Sequence, residues 1–192
     1  MGIGPVQGML ERVNTTEKHA RNLILIGFMG TGKTSVGMRV AKSLGWRFVD
    51  TDRLITRRAG KSIPAIFAES GEDVFRNLET EVLRKCAGES GQVISTSGGI
   101  VTLERNREIL KDVGYVIWLE ASPETIYERV KNNRNRPLLR TDDPQATIRK
   151  MLESRRAFYE STCDLRIRTD DLTMEETCYG VTESARLALA GE

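Results

Sequence analysis

The residues best equipped for chemistry in this chain form one short block. Gly27-Phe28-Met29-Gly30-Thr31-Gly32-Lys33-Thr34 fits the phosphate-binding pattern G-x-x-x-x-G-K-[ST]. Glycines let backbone N–H groups approach a polyphosphate more closely than side chains would allow. Lys33 can reach the terminal phosphates, and the Thr34 hydroxyl is placed for Mg²⁺. Gly30, Thr31, Gly32, Lys33, Thr34 and Ser35 are therefore the candidate nucleotide-binding residues. Such a pattern could arise by chance in a glycine-rich turn, but this one has the context it needs. The apolar run Leu23-Ile24-Leu25-Ile26 precedes it and an amphipathic segment, Ser35 to Leu44, follows. The free N–H groups of that helix would face the anion.

Asp50 and Asp52 come next, two apart in Phe48-Val49-Asp50-Thr51-Asp52. On an extended chain they share a face, beside the phosphates, which suits work on Mg²⁺ and a hydroxyl. Otherwise Asp52 would cap a helix over Arg53 to Ala59. Arg76 and Glu79 lie three apart on a strongly periodic helix, Glu72 to Ala87, and would otherwise be an exposed ion pair. A second glycine loop, Thr96-Ser97-Gly98-Gly99-Ile100, follows the strand Gln92 to Ser95; a plain tight turn is the simpler reading of it. From Arg129 the texture changes to RVKNNRNRPLLRTDDP, with four arginines, one lysine and two prolines. Beside a phosphate site, such a segment reads as a mobile lid over about 129–145 rather than a solvated basic loop.

The elements that must hold these groups alternate. Strands are predicted at Asn22–Ile26, Phe48–Asp52, Gln92–Ser95, Tyr115–Leu119 and Asp164–Arg168. Helices are expected at Lys33–Leu44, Arg53–Ala59, Ser62 to a break at Gly71, Glu72–Ala87, Glu104–Lys111, after Ser122-Pro123, Gln145–Tyr159 and Met174–Leu189. The alternation predicts an α/β fold, a parallel sheet between two helical layers. Residues 1–21 read as a loose N-terminal extension with room for a short helix around Met9 to Val13, and residues 22–192 as one domain. Trp118, in an apolar run, belongs to the core.

The totals narrow the class. With 29 basic and 27 acidic residues, a formal charge of +2, the chain lacks the basic excess of a nucleic-acid binder. It has no run of 18 apolar residues and no secretory h-region, so neither a membrane partner nor export is expected. Cys86, Cys163 and Cys178 are odd in number and not in metal spacing, which suits reduced thiols in a cytoplasmic protein. The one histidine, His19, is expected in the tail. No apolar stripe is left over once the core helices are assigned, so a monomer is expected. A guanine-reading Asn-Lys-x-Asp stretch is absent.

Taken together in order and spacing, GFMGTGKTSVG, FVDTD, GEDVFRNLE, SGGIV, NRPLL and RRAFY resemble shikimate kinase over most of the chain, from about Leu23 onward. The resemblance implies a P-loop NTPase three-layer sandwich, a five-stranded parallel sheet of order 2-3-1-4-5, and transfer of the γ-phosphate of ATP to the 3-hydroxyl of shikimate. It implies that Lys33 holds the β- and γ-phosphates, and that Thr34 binds Mg²⁺ directly and Asp50 through water. Asp52 would receive the substrate hydroxyls, while Arg76 and Arg155 grip the substrate carboxylate and Glu79 holds Arg76. Gly98 and Gly99 would make backbone contacts to substrate. Lid residue Arg136 would reach the transferred phosphate, and Arg129 would lie against adenine.

One residue departs from the family pattern. The second glycine loop usually has three glycines, and here the first is Ser97. If that position needs a positive φ, serine costs about 1 kcal/mol or more; if not, it adds a hydroxyl to the site. Two alternatives remain: another small-molecule kinase, such as a gluconate kinase, or a nucleotide-binding regulatory protein without turnover.

Overall fold

A computed structural model describes residues 10–12, 21–131 and 141–189. Its elements run β1 (Leu10–Arg12), β2 (Asn22–Ile26), α1 (Lys33–Leu44), β3 (Arg47–Asp50), α2 (Thr51–Ala59), α3 (Ile63–Ala87), β4 (Gln92–Ser95), a 3₁₀ turn (Ile100–Thr102), α4 (Glu104–Val113), β5 (Tyr115–Glu120), α5 (Pro123–Val130), α6 (Pro144–Thr162), β6 (Leu165–Arg168) and α7 (Met174–Leu189). The sheet order is β1-β6-β5-β2-β4-β3. Counted from the P-loop strand, β2 to β6 are mutually parallel in the expected order 2-3-1-4-5.

β1 is a correction. Where a short helix was expected around Met9 to Val13, Leu10–Arg12 runs antiparallel to β6, with Glu11 opposite Arg166. An edge strand offers a row of unpaired backbone groups, and that tertiary pairing outweighs weak local helix preference.

The sheet is buried on both faces, as its apolar runs require. Alternate residues of β2 go to opposite cores. Ile24 and Ile26 join Ile94, Val116, Trp118 and the inner sides of α2, α3, α4 and α6. Leu23 and Leu25 join Val93, Ile117, Ile167 and the helices α1 and α7. A smaller cluster packs Phe28 of the P-loop against α5 and α6 through Ile126, Val130 and Ile148. Trp118 is a core residue, stacked on Tyr159 with ring centroids 5.4 Å apart. α3 breaks at Gly71, whose φ is 81°, where the sequence predicted a stop. No helix among the described residues is long and apolar enough to cross a membrane.

The Asp50–Asp52 segment also differs from expectation. β3 ends at Asp50, and α2 begins at Thr51 rather than Arg53. Asp50, not Asp52, is the cap: its Oδ1 accepts from the Arg53 N–H at 3.1 Å. Asp52 lies in the first helical turn, so the two carboxylates do not share the face of an extended strand.

Candidate active site

The carboxyl ends of the parallel strands carry the site, as open α/β sheets dictate. β2 feeds the P-loop, β3 feeds Asp50 and Asp52, and β4 feeds the second glycine loop. A cavity of about 280 Å³ is lined by Gly30, Gly32, Lys33, Thr34 and Ser35, by Asp50 and Asp52, and by Gly98 and Arg129.

The P-loop is tightly built. Gly27 has φ 139°, and a Cβ there would lie 2.3 Å from the Leu119 carbonyl oxygen, so only glycine fits beside β5. The Lys33 ammonium folds back over the loop and donates to the carbonyls of Gly27 at 2.8 Å and Phe28 at 2.7 Å. The Thr31 hydroxyl donates to the Phe28 carbonyl at 2.9 Å, and Thr31 borders a second cavity, with Phe28, Leu119 and Ser122, rather than this one.

Thr34 and Asp50, the two candidates for holding Mg²⁺, lie side by side. The Thr34 hydroxyl donates to Asp50 Oδ2 at 3.0 Å and lies 3.4 Å from the Ser95 hydroxyl. These are hard oxygen donors, and among the described residues there is no cluster of three or more His, Cys, Asp or Glu side chains suited to a metal. Two such oxygens fit Mg²⁺, which keeps several waters and takes one or two protein oxygens plus phosphate.

The part of the site expected to take the substrate is built around Gly98 and Gly99. Arg155, from α6, donates Nη1 to the Gly98 carbonyl at 3.2 Å. Arg76, from α3, packs against Gly99 so closely that a Cβ there would lie 2.3 Å from its Nη1. The Arg76–Glu79 pair is not the exposed surface pair that spacing alone allowed. Arg76 is 7 % exposed and Glu79 0 %, and Nη1 donates to Glu79 Oε2 at 2.6 Å. The Arg76 Nε and Nη2 donate to Glu72 Oε1 at 3.1 and 2.7 Å. Burial works against the Arg76 charge, but Glu79 and Glu72 outweigh it and raise its pKa. Burial pushes the Glu79 carboxyl above its ordinary range, against the pull of Arg76, the Ser97 hydroxyl and Arg155.

Ser97 has no positive φ, since no described non-glycine residue does, so the feared backbone cost is absent and the hydroxyl is the consequence. Arg129 lines the cavity but is held by Thr169, through Nη1 to Oγ1 at 3.2 Å and Nη2 to the carbonyl at 3.0 Å. Arg136 lies outside the described residues.

Tyr159 is a site residue that sequence reasoning missed. Its hydroxyl donates to the same Gly98 carbonyl at 2.6 Å, and burial pushes its pKa up to about 12, so it stays a donor. Its place four residues after Arg155, one helical turn on the same face, was the available signal.

The model of the shikimate kinase family matches residues 29–186. The shikimate kinase of Symbiobacterium thermophilum is 43% identical over 164 residues, covering 84% of this chain and 94% of that one. The solved structure of the shikimate kinase from Acinetobacter baumannii in complex with shikimate superposes with a TM-score of 0.83 at 35% identity, covering 90% of this chain and 95% of that one. A gluconokinase from Sinorhizobium meliloti, with a TM-score of 0.54 at 17% identity and covering 91% of this chain and 99% of that one, shares the fold alone.

Proposed function

The chain belongs to the shikimate kinase family and phosphorylates shikimate with ATP, and from that premise we propose how its residues divide the work. The observation that carries the proposal is the convergence at Gly98 and Gly99. Gly98 borders the cavity that Asp52 and Lys33 line, while its carbonyl receives Arg155 and its neighbour packs on Arg76. A compact ring acid can then present a hydroxyl to Asp52 and its carboxylate to two guanidinium forks, which suit a carboxylate better than lysine would.

In this reading the acceptor is the 3-hydroxyl. Lys33 leaves the Gly27 and Phe28 carbonyls for the β- and γ-phosphates of ATP, joined by the P-loop N–H groups and the α1 N-terminus. Thr34 and Asp50 would hold Mg²⁺, which neutralises charge on the phosphate oxygens. Asp52 orients the attacking hydroxyl and accepts its proton; positioning is the larger share, since phosphoryl transfer needs little base strength. Arg129 bounds the nucleotide side; Arg136, to which the family resemblance gives the transferred phosphate, lies outside the described residues. Residues 22–192 are read as one domain; of the lid expected over about 129–145, residues 132–140 lie outside the described residues. A monomer is supported by exposed large apolar residues that are few among those described: Met38, Val74, Tyr179 and Leu187. A cytoplasmic setting is supported by the three free cysteines.

The test is coupled ADP release with Mg·ATP and either shikimate or gluconate. Shikimate is expected to be turned over and gluconate to be inert; the reverse would overturn the proposal. Arg155→Ala is expected to raise the shikimate KM by ~30-fold or more, the scale of removing one partner from a buried charge pair, with little change in the KM for ATP. Equal effects on both would remove Arg155 from the carboxylate.

A further inference from the structure

Ser97 follows β4 and is 5 % exposed. Its backbone N–H donates to the Thr51 hydroxyl at 3.1 Å. Thr51 is fully buried and lies between Asp50 and Asp52, the two carboxylates of the cavity. The Ser97 hydroxyl donates to Glu79 Oε1, while Glu79 Oε2 takes the Arg76 guanidinium. One residue thus ties the turn bearing Asp52 to the arginine assigned to the substrate acid. We propose that Ser97 is a positioning residue for phosphoryl transfer, fixing Arg76 through Glu79 at a set separation from Asp52. The inference rests on reading this cavity as the shikimate site.

The physical case lies in what the two bonds require. Any residue at 97 would supply the N–H to Thr51, so that link belongs to the fold. The hydroxyl link needs a hydroxyl. Glu79 is entirely buried, and a buried carboxylate oxygen left without a donor is costly. Among the side-chain hydrogen bonds to Glu79, Ser97 serves one oxygen and Arg76 the other, so together they fix the carboxylate's rotation. Glu72 also holds Arg76, but its side chain is 56% exposed and competes with water. The Ser97–Glu79 half is therefore the rigid one. The guanidinium fills the space that a Cβ at Gly99 would take, so a turn of Glu79 would move Arg76 relative to this loop.

The groups facing Glu79 are Arg76 and, through it, Glu72 from α3, Arg155 and Tyr159 from α6, and Ser97 from the loop. Of the three favouring ionised Glu79, two are the arginines assigned to substrate. Removing the hydroxyl leaves burial less opposed, so Glu79 takes up a proton at a higher pH than in the wild type. Arg76 then loses a counter-charge as pH falls.

The experiment measures KM for shikimate and for ATP separately, across pH, in wild type, Ser97→Ala and Ser97→Gly. Both variants are expected to raise the shikimate KM by about tenfold, the scale of one hydrogen bond to a charged group, and to leave the KM for ATP within about twofold. The excess is expected to grow as pH falls from about 8 to about 6. Shikimate KM values unchanged at every pH, or both KM values shifted in proportion, would overturn the proposal. A merely structural role would lower the unfolding temperature without the split between substrates. Two glycine-loop variants guard against one failing to fold. If the wild type does not turn over shikimate, the reading of the cavity fails. If it does and both variants behave like it, this inference alone fails.

Discussion

At the scale of the residue, Gly99 shows how little room the site leaves. A methyl group added there would sit 2.3 Å from Arg76 Nη1 and 2.6 Å from Nη2. Gly99→Ala is therefore expected to displace the guanidinium and raise the KM for shikimate by ~10-fold or more, while nucleotide affinity by calorimetry stays near wild type. Weakened nucleotide binding would mean the loop holds both ligands. The need for glycine at 99 was visible in the sequence as the SGGIV motif, but its cause was not. The cause is a side chain arriving from another element, which spacing along the chain cannot report. The burial of Glu79 was hidden for the same reason. An i, i+3 pair looks alike whether its helix face meets water or a glycine loop. Ser97 could be flagged as unusual, yet its hydroxyl bond to Glu79 needed the fold.

At the scale of the element, the β3–α2 junction combines two duties in Asp50. One oxygen caps α2 by accepting from the Arg53 N–H, and the other accepts from the Thr34 hydroxyl. The duties can be separated because asparagine caps a helix as well as aspartate but lacks its charge. Asp50→Asn is expected to keep stability within a few tenths of a kcal/mol while raising the Mg²⁺ concentration needed for half-maximal rate; Asp50→Ala is expected to lose about 1 kcal/mol as well. Thermal unfolding beside a Mg²⁺ titration checks both, and an unchanged Mg²⁺ requirement in Asp50→Asn would take Asp50 out of the metal site. The sequence indicated a strand, a turn and a helix here but misplaced the boundary by two residues. Asp50 and Asp52 are both competent caps, and the choice depends on where β3 stops pairing with β4. The helix break at Gly71 was legible because glycine reaches a positive φ that other residues avoid, although Gly37 shows that glycine can also sit inside an unbroken helix.

At the scale of the whole molecule, the parallel sheet is a wall between two apolar cores, which the continuous run Leu23-Ile24-Leu25-Ile26 already implied. Leu25 is fully buried in the core on the α1 and α7 side. Leu25→Ala is expected to cost ~2–5 kcal/mol in denaturant unfolding, through lost transfer energy and a cavity. A loss below about 1 kcal/mol would mean that side relaxes far more readily than a close-packed interior should. The strand β1 could not be foreseen, because three residues carry too weak a pattern and their partner, β6, lies about 150 residues away in sequence. The stack of Trp118 on Tyr159 extends the reach of the second glycine loop into this interior, since Tyr159 also holds the Gly98 carbonyl. The chain has two indoles, and Trp46 lies beyond the C-terminal end of α1, at the opposite end of the sheet from the P-loop. With Trp46 replaced by phenylalanine, the enzyme becomes its own optical sensor: light emitted by the one remaining indole, excited apart from the tyrosines, would register the arrival of the acceptor, with no label attached.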